Sequence, residues 1–253
     1  MKTQTNGPAV NGSRAPAPRV LLWDVDGTLL NFLESEKNGI RMGFARMGLG
    51  KCTDEMLTDY SAINRRHWEM LERGEITKPE VLEGRFRTFF TKYGLPADDD
   101  FIAAFNRGYQ IDLGETVCFY DDAPAVLRRL HPFFRQYGVT NGTKIAQERK
   151  IRRAGLDRLL DGVFISEDVG AEKPSVAFFE GVWSKIGRFP PENVLIIGDS
   201  LTSDMRGGNN AGIRTCWYNP GHAVNTSGAR VDLEIDDLRA LPGLLLPEGG
   251  MEK

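Results

Sequence analysis

The sequence predicts an α/β protein built on a doubly wound parallel sheet, with a helical segment inserted after the first strand. Three observations carry this. Short apolar runs recur and close in polar or glycine-containing turns. Helix-length segments with apolar residues at three- and four-residue spacing lie between them. One long interval breaks the alternation.

In chain order, the apolar runs are VLLWDVDGT at 20–28, RQYGVTNGT at 135–143, GVFIS at 162–166, NVLIIGDS at 193–200 and RTCWYN at 214–219. Runs this short and this continuously apolar suit strands covered on both faces. The segments at 122–134 (DAPAVLRRLHPFF) and 144–156 (KIAQERKIRRAGL) have helical periodicity. Strands alternating with helices imply parallel pairing through right-handed crossovers, the Rossmann-like arrangement. Residues 31–118 offer no clear buried strand. Their helical pattern is interrupted at Gly48, Gly74, Pro79, Gly94 and Pro96. The expected organisation is therefore a tail at 1–18, a core at 19–30 and 119–253, and a helical insertion at 31–118. The acidic run Asp98–Asp100 reads as a helix N-terminus. The glycine-rich RGGNNAG at 206–212 matches neither common nucleotide-loop pattern and reads as a turn and helix end.

The chain has 253 residues, long for one compact domain and short for two, which agrees with a core carrying an insertion. It is 41% hydrophobic and 26% charged, with a formal net charge of −3. That balance argues against a nucleic-acid polymer as partner, since phosphate-backbone binding needs a surplus of Lys and Arg. Cys52, Cys118 and Cys216 form no CxxC pair and are odd in number, so neither a disulfide framework nor structural zinc is indicated, and a cytoplasmic location is expected. No run is long enough for a membrane span. The stretch Met1–Pro18, rich in Ala, Pro, Gly and Asn and free of acidic residues, reads as a disordered tail.

Ligands of open parallel sheets sit at the carboxyl ends of the strands, so the residues closing each run carry the chemical interest. The first run closes in Asp24, Asp26, Gly27 and Thr28. Two carboxylates separated by a single residue repel unless a divalent cation neutralises them or one keeps its proton. The first case yields a usable nucleophile and the second a general acid. Thr140, Asn141 and Gly142 supply a hydroxyl and backbone N–H groups suited to phosphate oxygens. Lys173 precedes Pro174 and can offset charge on a transferring phosphoryl group. GDSLTSD brings Asp199, Ser200 and Asp204, and Asp199 at the strand tip would complete an oxygen-rich site for magnesium. Each piece alone is usually a turn, a cap or surface; their ordered occurrence at strand ends is the signal.

The ordered set DVDGT, TNG, KP and GDSLTSD resembles the four motifs of the haloacid dehalogenase-like hydrolases, from about Val20 to the C-terminal region. The resemblance implies a phosphatase with Asp24 as covalent nucleophile and Asp26 as acid/base. Thr140 and Lys173 would bind phosphate, with Asn141 and Thr28 beside it. Mg2+, or Mn2+, would be held by Asp24, Asp199 and the backbone carbonyl of Asp26. Asp204 and Ser200 would steady Lys173 or the metal's surroundings rather than bind the ion. The insertion would be the family's helical cap. The segment at 60–86, with ISEDVGAEKP and TCWYN, is similar to the noncanonical pyrimidine 5′-nucleotidases, which implies a nucleoside monophosphate as substrate; a sugar phosphate or phosphoglycolate is the alternative. The resemblance says nothing of oligomeric state.

Tyr60 and Trp68 read first as core of the insertion and second as stacking platforms for a base. His67 reads as packing or surface, and Arg65 and Arg85 as surface or ion-pair residues. A dehalogenase needs neither Asp26 nor a metal motif. A noncatalytic relative would be expected to have lost Asp24, Asp26 or Lys173, and all three are present. A phosphomutase stays open at this stage.

Overall fold

The structure is a computed structural model that describes residues 18–246. The expected tail falls outside the described residues except for Pro18. Six parallel strands form one sheet in the order β3-β2-β1-β4-β5-β6, with β1 Val20–Trp23, β2 Arg135–Thr140, β3 Gly162–Ile165, β4 Val194–Gly198, β5 Arg214–Tyr218 and β6 Leu233–Ile235. All four residues of β1 are fully buried. Because side chains alternate across a strand, Leu21 and Trp23 join one core with Leu195, Ile197 and Tyr218, while Val20 and Leu22 join the other with Val139, Phe178 and Phe179. The Trp23 indole spends its N–H on Gln136 Oε1 at 3.1 Å, so the buried ring leaves no donor unpaired.

Strand β6 had no counterpart among the expected runs. It is three residues long and lies at the sheet edge, too short to show a pattern. The first run also stops as a strand at Trp23, although the Asp24 amide still donates to Ile197 O at 2.9 Å.

Four helices follow β1: α1 Phe32–Met47, α2 Asp54–Glu72, α3 Lys78–Lys92 and α4 Asp99–Asp112. Each begins at a polar cap. Asn31, Thr53 and Asp98 accept from backbone N–H groups, and Thr77 pairs with Glu80 in a capping box. Their apolar faces meet in a separate core of Phe44, Tyr60, Phe86, Phe89, Phe90, Phe105 and Tyr109. This unit is tied to the sheet domain by polar contacts. Lys78 donates to Ser166 Oγ at 3.0 Å, Thr143 donates to Gln110 Oε1 at 2.6 Å, and Thr202 donates to Glu72. The chain returns through α5 Ala123–Leu130, β2 and α6 Lys144–Ala154. Among the described residues, no helix is long and apolar enough to cross a membrane, and all three cysteines are free.

Candidate active site

The chain leaves β1 toward β2 and β3 on one side and returns to β4 and β5 on the other, so the sheet's switch point lies between β1 and β4. A crevice opens there at the carboxyl ends. Asp24 and Asp199 follow these two strands directly. Gly27 makes the close approach possible: its φ is +97°, and a Cβ would sit 2.5 Å from Asp199 Oδ2.

Asp24 is buried. Its Oδ1 accepts from Lys173 Nζ at 2.8 Å, and its Oδ2 has no hydrogen-bond partner. Burial pushes the carboxyl up to about 7, resisted by the Lys173 ammonium and reinforced by the charges of Asp204 and Asp26. Lys173 spends all three N–H groups, on Asp24, on Asp204 Oδ1 at 2.7 Å and on Val139 O at 2.8 Å. Burial works against its charge, but Asp204 and Asp24 outweigh it and hold its pKa above the ordinary lysine value.

Asp204 has both oxygens engaged, the second by the Ser200 amide at 3.1 Å. Ser200 Oγ in turn accepts from Ser203 N at 3.0 Å and starts a π-helical turn over Leu201–Met205. Asp199 opens onto the crevice. Loss of bulk water there, with Asp24 and Asp204 nearby, raises its carboxyl well above the usual range. One carboxylate oxygen from each of Asp24, Asp199 and Asp204 lies within 4.8 Å of the others. A set of hard carboxylate oxygens this close together fits Mg2+ or Mn2+. Since Asp204 is already spent, Asp24 and Asp199 are the open ligands.

The other expected site residues are held by contacts of their own. Thr28 is fully buried and donates to Asp199 Oδ1 at 3.2 Å. Asn141 clamps the Lys173 backbone, donating to its carbonyl and accepting from its amide, both at 2.8 Å. Thr140 Oγ1 accepts from Gly142 N at 3.2 Å and lies on the cavity wall. Asp26 is gripped from α6, where Lys150 Nζ donates to Oδ1 at 2.7 Å and Gln147 Nε2 to Oδ2 at 2.6 Å.

Sequence reasoning missed Lys150 and Gln147. The only signal was two polar residues three apart in an amphipathic helix, and without knowing the buried face nothing marks them. Lys150 is 1% exposed and lies 4.8 Å from the centre of the Phe32 ring.

The cavity above these groups has a volume of about 740 Å3, and the helical unit closes it with Phe32, Trp68, Arg65 and Arg85 among others. Tyr60 does not reach it. Its ring stacks on Phe86 at 5.3 Å inside the helical core, which removes it as a base platform. His67 Nδ1 lies 2.8 Å from Ile63 O, off the cavity. Arg85 is not at the surface: it is 1% exposed and bonds Asn64 and Asn106, and among the described residues it makes no ion pair.

The sequence is similar to known proteins along most of its length. It is 36% identical over 227 residues to YfnB of Bacillus subtilis (strain 168), named as a HAD-hydrolase, covering 90% of this chain and 95% of that one. The magnesium-bound crystal structure of YfnB superposes with a TM-score of 0.85 at 35% identity, over 92% of this chain and all of that one. Pyrimidine 5′-nucleotidase PynA of Streptococcus pneumoniae is 34% identical over 219 residues, covering 86% and 90%. Pyrimidine 5′-nucleotidase YjjG of Escherichia coli is 28% identical over 225 residues, covering 89% and 96%. The family model of the haloacid dehalogenase-like hydrolases matches residues 18–212. With the switch-point crevice and its carboxylates at the strand ends, these matches mean that the chain belongs to the haloacid dehalogenase-like hydrolases.

Proposed function

We propose that the chain is a magnesium-dependent phosphomonoesterase that works through a phospho-aspartate on Asp24 and acts on pyrimidine nucleoside 5′-monophosphates. The observation that carries the catalytic part is the buried, unpartnered Oδ2 of Asp24, a residue that lines the cavity and whose other oxygen is fixed by Lys173. An oxygen so placed is free to attack phosphorus, forming the O–P bond as the bond to the substrate's ester oxygen breaks. Lys173 steadies the negative charge around the nucleophile. Asp26 stands two residues on and delivers a proton to the leaving oxygen. It then takes one from the water that cleaves the phospho-aspartate, releasing phosphate and restoring Asp24. At rest both Asp26 oxygens accept hydrogen bonds, so to act as acid it must exchange one for a bond to the leaving oxygen. A bound Mg2+ on Asp24, Asp199 and the Asp26 carbonyl would offset phosphoryl charge.

The nucleotide part is supported by the PynA and YjjG relatives and by Trp68 on the cavity wall, where an indole face can take a base. The cavity falls within the range usual for small-molecule sites. Phosphate release should be measured across UMP, dTMP, glucose 6-phosphate and phosphoglycolate. UMP and dTMP are expected to give the highest kcat/KM. A preference for the sugar phosphate or for phosphoglycolate would overturn the nucleotide assignment and leave the phosphatase chemistry standing.

A further inference from the structure

We infer that Arg85 is the specificity residue of a base-reading subsite in the helical unit, donating to a ring carbonyl oxygen of the substrate's base. The inference rests on the nucleotidase reading and adds which part of the base is recognised and by what.

Arg85 lies on α3, is 1% exposed, and yet forms part of the cavity wall. Its guanidinium is 4.9 Å from the centre of the Phe86 ring and 5.1 Å from that of Tyr109. Nη1 donates to Asn64 Oδ1 at 2.9 Å and Nη2 to Asn106 Oδ1 at 3.3 Å, while Nε has no partner. A guanidinium has five N–H donors and no acceptor. Only two of the five are spent here, both on neutral amides, and among the described residues Arg85 makes no ion pair. A buried cation left this incompletely paired is costly unless something else completes its hydrogen bonding. Nε is sealed from solvent, but Arg85 is among the residues that line the substrate cavity, so an acceptor on a ligand there would complete the hydrogen bonding of the guanidinium.

The surroundings hold the guanidinium in place. Asn64 Nδ2 donates to Glu36 Oε1 at 2.7 Å, and Ser61 donates to the other Glu36 oxygen, which fixes the Asn64 amide with its carbonyl toward Arg85. Asn106 Oδ1 also accepts from Gln110 at 3.0 Å, and Gln110 accepts from Thr143, beside the Thr140–Gly142 turn. A continuous series of hydrogen bonds thus joins the cap subsite to the turn expected to bind phosphate.

A donor-only group selects for an acceptor, either a carbonyl or a second anion. The nearby Glu36 carboxyl and the Trp68 indole on the same cavity favour a neutral aromatic carbonyl. Uracil and thymine carry two such oxygens; adenine carries none.

The test uses the full chain with Mg2+ and measures kcat/KM for UMP, AMP, glucose 1,6-bisphosphate and p-nitrophenyl phosphate. Wild type is compared with Arg85→Lys and Arg85→Met, and folding is checked by thermal melting. Lysine keeps the charge but not the planar fork. In both variants kcat/KM for UMP relative to p-nitrophenyl phosphate should fall about 10- to 100-fold, the range for a hydrogen bond to a charged group. The preference for UMP over AMP should collapse with it. Equal turnover of UMP and AMP by the wild type overturns the inference without recourse to any variant. So does a UMP preference that survives in a folded Arg85→Lys protein; the first result leaves a nucleotidase without a pyrimidine preference, and the second leaves the pyrimidine nucleotidase reading intact. A wild-type preference for the bisphosphate over every nucleotide overturns both.

Discussion

Lys150 grips Asp26 across 124 residues of sequence: its Nζ donates to Asp26 Oδ1 at 2.7 Å from a side chain that is almost wholly buried. The pair fixes where the acid/base candidate can point. Lys150→Met should leave Asp26 held by Gln147 alone. We expect kcat for UMP to fall about tenfold or more, within what misplaced acid–base catalysis costs. Turnover of p-nitrophenyl phosphate, whose leaving group needs little protonation, should fall much less. Equal losses on both substrates would show that Lys150 supports the fold rather than the placement of Asp26.

The two motif carboxylates have different tasks and should fail differently. Asp24→Asn removes the nucleophile, so no phosphoenzyme should form with any substrate. Asp26→Asn should lose roughly 10²- to 10⁴-fold with alkyl phosphates. With p-nitrophenyl phosphate it should still give a burst of about one p-nitrophenolate per site and a trappable phospho-aspartate. Rapid-quench kinetics decide this: an identical absence of burst in both folded variants would refute the division of labour.

Chelation should abolish turnover, and added Mg2+ should restore it. The Asp24 carboxyl, raised to about 7 by burial, holds a proton below that value and must lose it to bind a cation. Mg2+ affinity should therefore rise with pH between about 6 and 8. Calorimetric titration at both ends, in buffers of different ionisation enthalpy, should show proton release at the lower pH. A pH-independent affinity with no proton release would place the ion elsewhere.

Glu72, at the end of α2, accepts from Thr202 in the π-helical turn that carries Asp204, and burial pushes its carboxyl up to about 7. A carboxyl raised above its unfolded value costs nothing while both states are protonated. It then erodes stability as pH climbs from about 4.5 to about 7. Glu72→Gln keeps an acceptor for Thr202 and removes that cost. Its gain over wild type should be near zero at pH 4 and on the order of 1 kcal/mol above pH 7, since the partly open position of Glu72 reduces the full shift. Denaturant melts at the two pH values measure it, and a gain that is the same at both would contradict the assignment.

The fold class could be read from the sequence because strands covered on both faces must be apolar throughout, so VLLW and VLIIG stand out without any knowledge of their neighbours. The chemistry-bearing residues could be found for a related reason: in a parallel sheet the turns that end such runs share one edge, and Asp24, Thr140 and Asp199 inherit their proximity from the strand order alone. Tertiary structure decided everything that depends on which side of a helix faces inward. Tyr60 and Trp68 share α2 eight residues apart, about 80° round the helix. The first is sealed into the aromatic core, and the second lines the cavity. Arg85 read as surface or ion-paired because arginine usually is, yet α2 and α4 bury it against Asn64 and Asn106. Lys150 and Gln147 meet Asp26 only because α6 packs beneath the β1 turn. Local periodicity marks that a helix has a buried face, but the identity of that face, and of the polar groups it brings to a distant carboxylate, is set by packing between segments far apart in the chain.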